Sequence, residues 1–116
     1  ELTAWPTKPE DIAFWLYTSG STGPPKGVMH RHQALIHTAI LFGQSVLRVS
    51  PEDVTFSAAK MHFAYGLGNA MTFPFYAGAT SVVTGHRPTA EHIVACLCEH
   101  QPTLFFAALC TTFDEL

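Results

Sequence analysis

Apolar positions fall into short runs separated by polar and turn-forming residues. Ile12-Ala13-Phe14-Trp15-Leu16-Tyr17 is a continuous apolar run, consistent with a strand buried on both faces. Val54–Ser57 and Thr103–Ala107 read as shorter strands, and the β-branched stretch Thr80–Thr84 as another. The clearest helix is Ala90–Glu99. Its apolar residues Ala90, Ile93, Val94, Leu97 and Cys98 recur at i, i+3, i+4, i+7 and i+8. Thr89 is a natural N-cap, and Pro102 prevents continuation. Arg31–Leu47 is helical in length and apolar around most of its circumference, which predicts deep burial. Leu67–Tyr76 also reads as helical. Pro74 must bend or end it, and Gly78 closes it. Ser50-Pro51-Glu52-Asp53 is turn chemistry, with no evident partner for either acid. Thr111–Leu116 opens a further helix, and Glu1–Glu10, with Pro6 and Pro9, reads as an extended entry. Strands alternating with helices predict an α/β fold: a parallel sheet with helices on both faces.

The densest chemistry lies directly after the first apolar run. Thr18-Ser19-Gly20-Ser21-Thr22-Gly23 is six small or hydroxylated residues, followed by Pro24, Pro25 and Lys26. Glycines let backbone approach phosphate oxygens, and consecutive N–H groups in turns form an anion-binding concavity. Lys26 adds a point charge with three donors. A bland loop of the same composition is the competing reading. A Walker-type phosphate loop fails on spacing, because Gly27 rather than Ser or Thr follows Lys26. A hydrolase elbow fails too, since Gly20-Ser21-Thr22-Gly23 misses the Gly-x-Ser-x-Gly pattern by one position.

This run resembles the signature loop of the adenylate-forming enzymes, which include acyl-CoA and aryl-CoA ligases, luciferases and peptide-synthetase adenylation domains. The match is nearly full at Ser19–Gly23 and Pro25–Gly27. Together with Asp11–Tyr17, Lys60–Asn69 and Gly85-His86-Arg87-Pro88-Thr89, it looks like the benzoate–CoA ligase branch. The resemblance implies that residues 1–116 are a central slice of the AMP-binding N-terminal domain of a much longer enzyme. It implies that Thr18, Ser19, Gly20, Ser21, Thr22, Gly23 and Lys26, within the loop 17–28, hold the phosphates of ATP, with Lys26 the catalytic residue. The segment Phe63, Ala64, Tyr65 and Gly66 is implied to line the pocket for an aromatic acid. Aromatics around one alanine also suit a flat, largely apolar ligand, although plain core packing gives the same pattern. Many acyl-CoA ligases carry histidine where this chain has Phe63. His62 is one position off, which points toward aryl acids and away from a catalytic role for His62.

The implied co-substrates are ATP and CoA, with Mg2+ held mostly by ligands outside this stretch. Adenine, ribose and magnesium motifs and a C-terminal lysine are expected downstream of Leu116, so the fragment alone is expected to be inactive. The acid remains open among benzoate, hydroxybenzoates and small heteroaryl acids. A nucleotide- or phosphate-binding module without catalysis, a catalytically dead structural fragment and adenylation of another acid class are the alternative readings.

Composition narrows the remaining possibilities. Charged residues are only 13%, about half the usual share of a soluble domain. That fits a piece whose surfaces face other parts of a larger protein. The net charge of −3 leaves no basic footprint for nucleic acid. No apolar stretch reaches the ~18 to 20 residues of a membrane span, and no signal peptide opens the chain. Three cysteines, 96, 98 and 110, form no disulfide framework. They read as buried thiols in a reducing, cytoplasmic compartment. The seven histidines lack zinc-ligand spacing, so no metal site is expected. His30, close behind the loop, reads as a satisfied structural histidine.

Overall fold

The computed structural model describes residues 3–18 and 23–108. Ser19–Thr22, Cys110 and the helix expected at 111–116 lie outside them. The elements are β1 (Ile12–Thr18), β2 (Lys26–Arg31), α1 (His32–Thr38) running into a π-helical stretch (Ala39–Gln44), and β3 (Val54–Ser57). They continue as α2 (Ala64–Leu67), a second π-helical stretch (Gly68–Thr72), α3 (Phe73–Ala77), β4 (Thr80–Val82), α4 (Ala90–His100) and β5 (Leu104–Phe106).

Three of the four expected strands form the parallel sheet, in the order β4-β3-β5. Side chains of paired residues share a face. Phe56, with Val82 and Phe105 beside it, faces α4, where Ile93 and Cys96 close one core. Phe56 is 1% exposed and stacks on Phe105 at 5.5 Å. Leu104, on the opposite face, packs with Ala39, Val49 and Phe73 of the helical layer. The sheet is therefore covered by helices on both faces.

The run at 12–17 departs from expectation. It is not a buried strand of this sheet but half of an antiparallel ribbon with β2. Trp15 is 51% exposed and Tyr17 72%. The strand β2 was not anticipated, because Lys26-Gly27-Val28-Met29-His30-Arg31 mixes polar and apolar residues without a long run. Helix α1 is also less buried than its composition implied. Only Ala39 and Gly43 of its π-helical extension are buried, whereas Ile36, Leu41 and Val46 are exposed. On α4 the buried stripe is Ile93 and Cys96, while Val94 and Cys98 face outward. One of the two described thiols is thus exposed.

Local chemistry explains the helical layer. Gly43 lets the chain approach Phe73, whose Cβ lies 3.1 Å from where a Gly43 Cβ would stand. Pro74 does not end its helix. It occupies the first turn of α3, where a missing N–H is tolerated. Pro74 cannot donate to the carbonyl of Ala70, four residues back, and the Ser81 hydroxyl donates to that carbonyl instead. The helix is thereby tied to β4. Gly78, at φ 77°, closes α3 in the left-handed conformation. Thr89 caps α4 by accepting from His92 N at 3.3 Å.

Asp53 finds the partners that its sequence context did not reveal. Its carboxylate accepts from Ser50 N at 2.8 Å, Ser50 Oγ at 3.0 Å and Thr103 Oγ1 at 2.7 Å. The Thr103 hydroxyl oxygen also accepts from Val54 N at 3.0 Å. These bonds, the one from Thr103 foremost and those from Ser50 next, favour the ionised form and hold the Asp53 carboxyl below its ordinary value of 3.8. A depressed folded value means the stabilisation is present above the unfolded value and is lost as pH falls through the folded one. Asp53→Asn should therefore lower stability at neutral pH. It should also flatten the pH dependence of the denaturation midpoint below pH ~4. Denaturant titrations at several acidic pH values check this, and a variant retaining the wild-type slope would count against the assignment.

Candidate functional site

The ribbon places the first motif. Thr18 pairs with Lys26 as its last rung, so these two residues stand side by side at either end of the segment 19–25. Cross-strand partners share a face and the pattern repeats every second residue. Phe14, Leu16 and Thr18 therefore share one face with His30, Val28 and Lys26. Gly27 lies on the other face beneath Trp15 and Tyr17. A Cβ there would stand 3.2 Å from the Trp15 ring and 3.3 Å from the Tyr17 ring. His30 stacks on Phe14 with centroids 5.0 Å apart and planes 6° from parallel, a structural partnership. Gly23 has φ 137°, a conformation that favours glycine. Lys26 and Gly23 are exposed.

The second motif follows the central strand. Phe63 is the extended residue that starts α2, and its N–H bonds to the Lys60 carbonyl at 3.0 Å. Phe63 and Tyr65 are 59% and 48% exposed. Ala64, also exposed, lines a cavity of about 200 Å³. Its other walls include Phe14 and Leu16 of β1, His30 of β2, Ala34, Leu35 and Thr38 of α1, and Leu67. The cavity is thus roofed by the same ribbon face that carries Thr18 and Lys26. Leu16 and Thr18 are two strand residues apart, about 7 Å. An apolar cavity of ~150 Å³ admits a benzene ring, so this one has room for a single-ring ligand.

The space beside the Gly66 Cα is filled by its own chain: an added Cβ would overlap the Lys60 carbonyl and lie 2.6 Å from that of Ala59. His62 rests against the Phe63 ring at 4.3 Å and lines an adjoining pocket with Met61, Leu67 and Met71. The cavity walls on β1, β2 and α1 escaped the sequence reading. The signal that could have found them is the two-residue alternation of Phe14 and Leu16 against Val28 and His30.

A second crevice opens at the carboxyl end of the parallel sheet. After β3 the chain turns to the Leu104 face, and after β4 it turns to the α4 face. Such divergence makes a topological switch point, where open α/β sheets bind ligands. Ser57, Ala59, Lys60, Val83 and Thr84 line about 210 Å³ there. Among the described residues, no group of three or more His, Cys, Asp or Glu side chains converges as a metal site would require. Among them, too, no helix is long and apolar enough to cross a membrane.

Comparison with known proteins identifies the family. The chain is 51% identical over 106 residues to a benzoate–CoA ligase of Thauera aromatica, covering 91% of this chain and 20% of that protein. It is 53% identical over 98 residues to a 4-hydroxybenzoate–CoA/benzoate–CoA ligase of Rhodopseudomonas palustris, covering 84% and 18%. Among solved structures, a benzoate CoA ligase from Burkholderia xenovorans LB400 superposes with a TM-score of 0.78 at 50% identity, covering 86% of this chain and 19% of that one. The anthranilate CoA ligase AuaEII, in complex with anthranoyl-AMP, superposes at 0.85 with 37% identity, covering 92% and 21%. The chain spans about a fifth of the length of these relatives. The model of the AMP-binding enzyme family matches residues 2–112. With nearly every residue inside that match, the chain belongs to the AMP-binding, adenylate-forming enzyme family.

Proposed function

We propose that this chain is part of the N-terminal, AMP-binding domain of an ATP-dependent aryl acid–CoA ligase, with the phosphate loop at 17–28. The observation that carries the reading is the shared ribbon face. It joins a ring-sized apolar cavity to the pair Thr18 and Lys26 at the mouth of a glycine- and hydroxyl-rich loop. Identity above 50% to benzoate–CoA ligases supports an aromatic acid. A cytoplasmic location is part of the proposal and rests on the cysteine usage alone.

In the proposed reaction, a carboxylate oxygen attacks the α-phosphorus of ATP. The bond to pyrophosphate breaks, leaving the acyl-adenylate. The thiol of CoA then adds at the acyl carbon, loses its proton, and AMP departs. Thr18, Ser19, Gly20, Ser21, Thr22, Gly23 and Lys26 are proposed to hold the phosphates. Negative charge grows on the departing pyrophosphate, and Lys26 is the side chain placed to offset it. Ala64 is proposed as the ring contact in the cavity. Phe63 and Tyr65 flank it, and Gly66 acts through the tight turn that sets them. The described residues do not offer a donor set for Mg2+, whose protein ligand is assigned to another part of the enzyme. The remaining enzyme is also the proposed cover for the exposed apolar residues.

Acid-dependent ATP–pyrophosphate exchange by the full-length enzyme tests the reading across benzoate, hydroxybenzoates and heteroaryl acids. Exchange with none of them refutes it. Lys26→Ala should slow exchange by about 30- to 1,000-fold, the effect of losing ~2 to 4 kcal/mol of transition-state stabilisation. An unchanged rate would remove Lys26 from the site.

Ala64→Leu should crowd the cavity. Overpacking of ~1 to 3 kcal/mol corresponds to roughly 5- to 150-fold weaker binding of the acid. The KM for the acid should rise while that for ATP stays nearly constant. A parallel rise of both marks a folding defect, and no change in either means that Ala64 does not wall the acid pocket.

A further inference from the structure

The side chain of Lys60 crosses the switch-point crevice. Its Nζ donates to the carbonyl of Thr84 at 3.0 Å and to that of His86. Both carbonyls belong to the connection between β4 and α4, whereas Lys60 itself leads from β3 into α2. The same residue anchors the start of α2 through its backbone. Its carbonyl accepts from Phe63 N at 3.0 Å and fills the space beside Gly66. One residue thus grips segment 63–66 with its main chain and the facing connection with its side chain.

The far side of the grip is itself fixed. Thr84 Oγ1 accepts from His86 N at 3.2 Å and lies 2.8 Å from His92 Nε2, on the first turn of α4. His92 Nε2 lies 3.5 Å from the buried Cys96 thiol. Lys60 is therefore tied, through two carbonyls, to a helix locked onto the sheet by Ile93 and Cys96. A half-buried ammonium bound by carbonyl dipoles is a strong tie, since bonds to charged groups exceed neutral ones. None of the residues proposed to touch acid or phosphate has such a tie to the β4–α4 connection among the described contacts.

We propose that Lys60 is a positioning residue, which sets the acid-contacting segment 63–66 by bracing it across the switch-point crevice against the β4–α4 connection. Its contribution to the chemistry is placement of Ala64 and its neighbours, without contact to the acid, ATP or CoA. The inference deepens the aryl acid ligase reading and rests on it for its kinetic consequence.

The test compares Lys60→Met and Lys60→Arg with wild type in the full-length enzyme. Misplacement of about 1 Å costs on the order of 100-fold, so Lys60→Met should lower kcat/KM for the acid by roughly 10- to 100-fold in pyrophosphate exchange. The KM for ATP should stay within about twofold, because Thr18 and Lys26 are paired in the ribbon, whereas the Lys60 side chain binds the β4–α4 connection. Hydrogen–deuterium exchange should quicken in peptides covering 60–67 and 83–88, while peptides covering β3 and β5 keep their protection. Lys60→Arg keeps the charge and the donors, and should recover most of the local protection and of the acid kinetics. Wild-type kinetics together with wild-type amide exchange in Lys60→Met would overturn the proposal. Exchange that quickens everywhere would overturn it too, by making Lys60 a general stability residue. If the wild-type enzyme exchanges pyrophosphate with no aromatic acid, the ligase reading fails, and the amide-exchange comparison still decides whether Lys60 braces this segment.

Discussion

The carboxylate of Asp53 is held by two hydroxyls and one amide at the entrance to the central strand. Its backbone carbonyl also accepts from Thr80 N at 3.0 Å, at the start of β4. Through Thr103 its side chain reaches the start of β5. One residue thus sets the register of all three parallel strands at their amino ends. A one-residue slip would send Phe56 and its paired neighbours to the wrong face. Everything at the carboxyl ends follows from this register: the direction in which each connection leaves, the crevice between them, and the point at which Lys60 meets Thr84.

The strands at 54–57, 80–82 and 104–106 were legible because each is short, apolar or β-branched, and bounded by turn residues. Helix α4 was legible from its cap and period, although the outward turn of Val94 and Cys98 was not. An apolar period reports which faces could be buried, and packing against this sheet selects only part of that surface. The ribbon was misread for a related reason. An unbroken apolar run looks the same in a buried parallel strand and in a ribbon whose outer face carries Trp15 and Tyr17. Only the pairing with β2 separates the two, and β2 has too mixed a composition to declare itself. Asp53 shows the same blindness for polar groups. Its decisive partner, Thr103, lies fifty residues away.

The site was legible as two motifs and illegible as one place. Glycines, hydroxyls and a lysine are the local signal for the proposed phosphate chemistry, and Phe63–Gly66 for the proposed flat apolar contact. What joins them is tertiary: a ribbon face that carries Phe14 and Leu16 over the cavity and continues to Thr18 and Lys26. The Gly66 contact with the Lys60 carbonyl could not be read from composition either. Glycine there looks like room for a ligand, whereas the chain itself takes up the room.

The two connections that part company after β3 and β4 have an evolutionary consequence. Among the described residues no strand passes between them, and none of residues 61–65 or 85–88 belongs to the Phe56 or Phe73 cores. On the proposed reading, the fit of an acid can then drift by mutation at 63–65 while the stability of the sheet is left intact. The constraint on such drift is narrow. Lineages that lose the lysine bridging the two tips would have to invent another way of holding them at a fixed spacing, so change in preference is expected to run around position 60 rather than through it.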